Sequence, residues 1–139
     1  MIPSAEKIMA KLGNVFLSRR RQLQKRIQPF GCTLKQHHVL RKLSRAAYLT
    51  PSEIADELFC DKPTASVIIA NLHKYGWIRK EANPENRRSY RMHITDEGLE
   101  KLEETSKALQ SAQNPLKGLS DEEKAQLYDL LQKIQNNVG

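Results

Sequence analysis

The sequence predicts a mainly α-helical fold carrying one small β-hairpin, an α+β class, on three observations. Two short helical segments with strong capping signals adjoin across a tight turn between Thr50 and Tyr75. Two short β-prone runs, Trp77 to Glu81 and Tyr90 to Ile94, flank a polar, turn-rich stretch. Apolar residues at helical spacing both precede and follow this region.

Taking the chain in order, Ile8, Leu12, Val15, Phe16, Leu23 and Ile27 mark a helix from about Pro3 to Gln28, with an opposite face that is polar and strongly basic. Pro29 and Gly31 end it, because the residue before a proline is pushed out of the helical region. Thr33 starts the next helix as its N-cap, with Gln36 placed to close a capping box. Leu34, Val39, Leu40 and Leu43 give that helix its apolar side, and Arg41, Lys42 and Arg45 suit the negative end of its dipole.

Thr50-Pro51-Ser52-Glu53 combines an N-cap threonine, a proline at the first helical position and a glutamate that closes a second capping box. A short helix to Leu58 follows. Asp61 caps the next, which runs to about Tyr75 before Gly76 stops it. Two helices this short must cross sharply to bury Ile54, Leu58, Cys60, Ala65, Ile68 and Leu72 together, which is a helix-turn-helix. The hairpin after it carries Arg87 and Arg88 at its tip and Arg91 on the returning strand, and makes the unit a winged helix-turn-helix.

After Thr95, Leu99, Leu102 and Leu109 mark a polar helix with a narrow apolar seam, ending near Asn114-Pro115. Ser120 and Glu123 form a third capping box, for a last helix bearing Leu127, Leu130, Leu131, Ile134 and Val138. The small core of the winged helix has no room to cover the stripes of the first and last helices. Uncovered, they would be an association surface, and two chains packed about a two-fold axis would cover them. The expected organisation is an N-terminal dimerisation helix (1–32), a winged helix-turn-helix (33–95) and C-terminal dimerisation helices (96–139). A monomer whose terminal helices fold back on the winged helix is the alternative.

At 139 residues the chain has room for one compact domain with helical extensions, not for two ordinary domains. Its net charge of +7 favours a polyanionic partner, and the distribution of charge says more than the sum. Eleven Lys or Arg residues face the single acid Glu6 up to Tyr48, whereas five Lys face nine acids from Asp96 onward. The C-terminal third should therefore avoid phosphates. No apolar run approaches the ~18 residues of a bilayer span, so neither a membrane partner nor a membrane location is expected.

The chain resembles the MarR (multiple antibiotic resistance regulator) family over nearly its whole length. The likeness lies in the Thr33-x-x-Gln36 helix start, the helix-turn-helix, the Asn83-Pro84-Glu85-Asn86-Arg87-Arg88 wing and the Ile94-Thr95-Asp96-Glu97-Gly98 junction. The resemblance implies a homodimer that binds a pseudo-palindromic operator in double-stranded DNA, usually as a repressor. Such regulators often let go when a small aromatic or anionic effector, or an oxidant, arrives.

Carried onto this sequence, the helix from Asp61 to Tyr75 becomes the recognition helix, with Lys62, Pro63, Thr64, Ser66, Val67 and Ala70 as candidate DNA contacts. Lys62 would reach a phosphate or guanine, Ser66 a base edge or phosphate, and Val67 and Ala70 thymine methyl groups. The family commonly has an arginine where Val67 stands; its loss points to a thymine-rich site or to more reading of DNA shape, unless Val67 is simply core. Arg87 and Arg88 are the wing candidates. Arg88 matches the family arginine that enters the minor groove, and Asn86 stands where the family usually places an aspartate. A solvated basic loop is the other reading of these arginines.

Phe16, Arg19 and His37 are the candidate effector-pocket residues. His37 falls where the family often has an aromatic residue, and reads as pocket wall or core. The basic stretch Arg19 to Arg21 could serve an anionic effector or be a solvated face. His37, His38, His73 and His93 show no metal-ligand spacing, so no metal site and no cofactor are expected. Cys32 and Cys60 make no disulfide framework and read as reduced, buried thiols in a cytoplasmic protein, not as oxidant sensors. No nucleophile-base pair or phosphate loop stands in a suitable context, so an enzyme is not expected. A second function class stays open: a winged-helix protein-interaction module that has lost sequence-specific DNA reading.

Overall fold

A computed structural model describes residues 1–86 and 88–139, every residue except Arg87. The elements run α1 (Ala5–Ile27), a 3-10 turn (Gln28–Phe30), α2 (Leu34–Ser44), α3 (Pro51–Glu57), α4 (Lys62–Lys74), β1 (Ile78–Ala82), β2 (Tyr90–Ile94), α5 (Asp96–Gln110) and α6 (Asp121–Val138).

Local chemistry sets the helix starts. The Thr33 hydroxyl accepts from the Gln36 N–H at 3.1 Å while the Gln36 amide oxygen accepts from the Thr33 N–H at 3.0 Å. The same reciprocal box closes at Thr50 and Glu53 and at Ser120 and Glu123. Each cap satisfies donors that the helix cannot, and losing one costs about 1 kcal/mol. Ser4 caps α1 by accepting from the Lys7 N–H at 3.2 Å, so the helix starts at Ala5, slightly later than the sequence implies.

One core unites the winged helix. Val39, Leu40 and Leu43 of α2, Ile54 and Ala55 of α3, Ala65, Ile69 and Leu72 of α4, Ile78 of β1 and Met92 of β2 are buried together. Each large aliphatic side chain removed from water contributes roughly 1.5–3 kcal/mol. In α4 the deepest isoleucine is Ile69; Ile68, the one expected from the sequence, is only partly buried, as are Leu58 and Cys60. The α4 helix is thus rotated so that Ile69, one position further on, points into the core.

The two strands pair antiparallel from Ile78↔Ile94 to Ala82↔Tyr90. The first strand begins at Ile78 and not at Trp77, whose backbone is used in the preceding turn: its N–H donates to the Leu72 carbonyl and its carbonyl accepts from the Thr95 N–H, both at 3.0 Å. A further bridge that the sequence did not announce joins Leu49 to Met92, with hydrogen bonds of 3.1 and 2.8 Å. It ties the segment before α3 to the hairpin, so the wing is anchored at both edges of β2.

The Thr95 hydroxyl donates to the Gly76 carbonyl at 2.6 Å and accepts from the Gly98 N–H at 3.0 Å, which clamps the exit of the hairpin against its entrance. Gly98 is buried there because nothing larger fits: a Cβ would lie 2.7 Å from Ile94 Cγ1 and closer still to the Trp77 carbonyl oxygen. The α5 helix ends at Gln110, short of the expected Asn114-Pro115, and the Asn114 side chain then accepts from the Leu116 N–H at 2.9 Å in a separate turn.

The outer helices are treated differently. Helix α5 packs against α1 and α2, whereas α1 buries only Ile27 and α6 buries none of its residues. Val15, Phe16 and Leu17 of α1 and Tyr128, Leu130 and Leu131 of α6 all remain exposed. The terminal helices do not fold back to cover these faces. No helix among the described residues is long and apolar enough to cross a membrane.

Candidate nucleic-acid interface

Helix α4 is held from behind. With Ala65, Ile69 and Leu72 locked into the core, the opposite face has to look outward, and Lys62, Pro63, Thr64, Ser66, Val67 and Ala70 are all exposed. Val67 is 61% exposed, so it is not a core residue. The Asp61 carboxylate accepts from the Thr64 N–H at 2.8 Å. Hydrogen bonds from Thr64 hold the Asp61 carboxyl below its usual range, so the cap stays ionised at neutral pH.

The wing loop is built on asparagines. Asn83 Oδ1 accepts from the Glu85 N–H at 3.0 Å and Asn86 Oδ1 from the Arg88 N–H at 3.1 Å, while the Ser89 N–H donates to the Asn86 carbonyl at 3.0 Å. Asn86 therefore fixes the backbone of Arg88, a task that an asparagine performs as well as an aspartate. Arg88 is exposed at the tip. Arg87 lies outside the described residues.

Two wing features had no signal in the sequence. The Arg91 guanidinium carbon sits 4.4 Å from the centre of the Tyr48 ring, a cation-π contact that immobilises it at the base of the hairpin. His93 Nε2 lies 3.6 Å from a Glu81 carboxylate oxygen, with Arg79 at 3.5 Å from the other. Only the strand register, which sets Arg91 opposite Glu81 and His93 opposite Arg79, would have exposed this cluster.

The three candidate effector residues do not meet in one recess of the chain. Phe16 is exposed on α1, and Arg19 donates to the Gln113 carbonyl at 2.8 Å. Arg19 also lines an open recess of ≈ 320 Å³ with Asn14, Val15, Ser18, Gln22 and Pro115. His37 is buried between α2 and α5, its Nδ1 2.8 Å from the Thr105 hydroxyl oxygen. A larger recess of ≈ 620 Å³ is lined by Glu100, Glu103, Glu104, Lys107, Phe30, Ala108 and Ser111, an excess of negative charge that would repel an anion.

The Thr105 hydroxyl proton is committed to the Lys101 and Leu102 carbonyls, at 2.9 and 3.2 Å. Nδ1 of His37 must then carry a hydrogen and Thr105 accept it. Burial, reinforced by Arg41 and His38, pushes the His37 imidazole down from 6.5 to about 4. The unfolded chain takes up this proton near pH 6.5 and the folded chain only near 4. Stability should thus fall as pH drops through that window and level off below it, the full loss being about 3 kcal/mol. Thermal melts of the wild type and of His37→Gln across the window check this: the wild type should lose more, and parallel curves would clear His37 of the effect.

Burial raises the Cys32 thiol to about 11. A thiol so protonated at neutral pH is a poor nucleophile and a poor oxidant sensor. Cys60 is partly buried against the core. Among the described residues no group of three His, Cys, Asp or Glu side chains could hold a metal ion.

An exposed, capped second helix of a helix-turn-helix with an asparagine-braced arginine wing beside it defines a winged helix-turn-helix fold. Residues 32–90 match the family model described as MarR family. Over this region the chain is similar to the MarR family, and its fold is the one that family's solved structures share. It is similar to the HTH-type transcriptional regulator PecS of Dickeya dadantii (strain 3937), with 26% identity over 135 residues that cover 94% of this chain and 81% of PecS. Among solved structures it is similar to a MarR protein from Peptoclostridium difficile, at 22% identity and a TM-score of 0.85 over 99% of this chain and 91% of that one. It also resembles a mutant MarR from E. coli complexed with operator DNA, at 23% identity and a TM-score of 0.76 over 95% of this chain and 99% of that one. At these identities the structural likeness speaks for the fold.

Proposed function

We propose that the chain is a dimeric, sequence-specific DNA-binding transcriptional regulator, a cytoplasmic repressor released by a small-molecule effector. The observation that carries this reading is the exposure of the whole outer face of α4, Lys62 through Ala70, on a helix whose other face is fixed in the core. A helix so presented fits the major groove, and Arg88 at the wing tip fits the adjacent minor groove. The exposed apolar faces of α1 and α6 support a homodimer, which would set two such heads along a pseudo-palindromic operator. That the E. coli MarR mutant was crystallised with operator DNA supports the DNA assignment.

An anionic or aromatic effector is better matched by the recess around Arg19 than by the glutamate-lined one, and a partner's α1 or α6 would help enclose it. The interaction-module reading draws its support from one feature, the apolar character of Pro63, Val67 and Ala70. Duplexes selected from a random pool, then titrated at two salt concentrations beside random duplexes, separate the two. Selective binding that weakens with salt is expected; no preference among duplexes even at low salt would favour the interaction module.

A further inference from the structure

The turn between α3 and α4 contains an unusual side chain. Phe59 has φ 51, the only left-handed backbone of a non-glycine residue among those described, and its side chain is 91% exposed. The turn itself is well made: the Phe59 N–H donates to the Asp56 carbonyl at 3.2 Å and the Cys60 N–H to the Ala55 carbonyl at 3.1 Å. That backbone suits glycine or asparagine, and a bulky aromatic residue holds it only at a cost in strain. Nor is the strain offset by packing, because the ring is almost wholly in water. The fold gains nothing from a phenylalanine here.

Its position indicates what does gain. Phe59 stands two residues before Asp61, the cap of α4, and so at the end of α4 that would enter the major groove. The exposed apolar residues of α4, Pro63, Val67 and Ala70, recur at helical spacing and share one face, and Phe59 stands in the turn that leads into the end of α4 bearing Pro63. Lys62 and Ser66 flank this face, and α4 contains no acidic residue. In the major groove the one apolar group that base edges offer is the thymine 5-methyl. An apolar face flanked by Lys62, with the nearest carboxylate, Asp61, turned back to cap the Thr64 N–H, matches thymine methyls set between phosphates better than it matches an apolar protein surface.

We propose that Phe59 is a DNA-contacting residue that extends the apolar face of α4, and that this extended face selects thymine through its 5-methyl group. The proposal rests on α4 being the recognition helix. It adds a residue from outside that helix to the thymine contacts expected of Val67 and Ala70.

The test uses the full chain and a duplex selected from a random pool, with affinity read by fluorescence anisotropy. In one arm Phe59→Gly, which suits the left-handed backbone, is compared with wild type in affinity and in melting temperature. In the other arm each thymine of the selected duplex is replaced in turn by deoxyuridine, which removes only the methyl. Phe59→Gly should melt no lower than wild type yet bind at least about tenfold more weakly. Individual deoxyuridines should weaken wild-type binding by roughly fourfold, the equivalent of one buried methyl. At the thymine under Phe59 that penalty should shrink in Phe59→Gly.

If wild type binds the duplex tightly but neither the variant nor any deoxyuridine changes affinity, Phe59 is not a reader and this proposal falls, while DNA binding stands. If Phe59→Gly instead alters self-association and leaves DNA affinity intact, the ring belongs to a protein contact and the proposal again falls. If wild type selects no duplex at all, both this proposal and the regulator reading fail. Should Phe59→Gly melt lower, the deoxyuridine arm on the wild type decides: a methyl penalty supports thymine selection, and its absence overturns it.

Discussion

Gly98→Ala should destabilise the chain by about 3 kcal/mol or more, one of the largest losses expected of any single substitution. The added methyl has nowhere to go: it meets Ile94 Cγ1 and the Trp77 carbonyl oxygen, which is already held by the Thr95 N–H. Overpacking against backbone costs more than overpacking against a mobile side chain, because the hairpin entrance and the start of α5 would have to separate. Urea denaturation checks it. Gly13→Ala is the control, since a Cβ there meets nothing within 4 Å and should be tolerated in the middle of α1. A midpoint for Gly98→Ala close to that of wild type would mean that the junction is looser than the geometry implies.

Arg88→Ala should be the most damaging wing substitution for binding while leaving stability within about 0.5 kcal/mol, because the side chain is exposed and its structural contact is made by its backbone N–H. Affinity for a selected duplex should drop roughly tenfold at physiological salt, and the slope of log affinity against log salt should become shallower by about one contact per head. Arg88→Lys should recover part of the slope but less of the affinity, since an ammonium keeps the charge and loses the planar fork. Unchanged affinity in Arg88→Ala would remove the wing from the interface.

The elements and their starts were legible in the sequence because capping is local. Thr33 with Gln36, Thr50 with Glu53, and Ser120 with Glu123 each need only residues three positions apart, and all three boxes form. What depended on phase or distance was less legible. In Val67-Ile68-Ile69-Ala70 a run of apolar residues hides which isoleucine faces inward, and tertiary packing chose Ile69. The Leu49–Met92 bridge and the Tyr48–Arg91 stack join residues more than forty positions apart, which no local pattern encodes.

The candidate site shows the same division. The exposed face of α4 follows from its core stripe, so Lys62, Pro63, Thr64, Ser66, Val67 and Ala70 could be named from periodicity and resemblance together. Phe59 could not, because a phenylalanine in a short turn reads as core and its left-handed backbone leaves no mark on the sequence. Phe16, Arg19 and His37 sit apart in the single chain; any common pocket would need the second chain to complete it.

The central claim is that two of these chains hold paired reading heads on one duplex. Sedimentation equilibrium of the free protein at micromolar concentration, and of its complex with a selected duplex, tests it most directly. Two chains in the free protein and two per duplex in the complex are the predicted result, and one chain in both would contradict it.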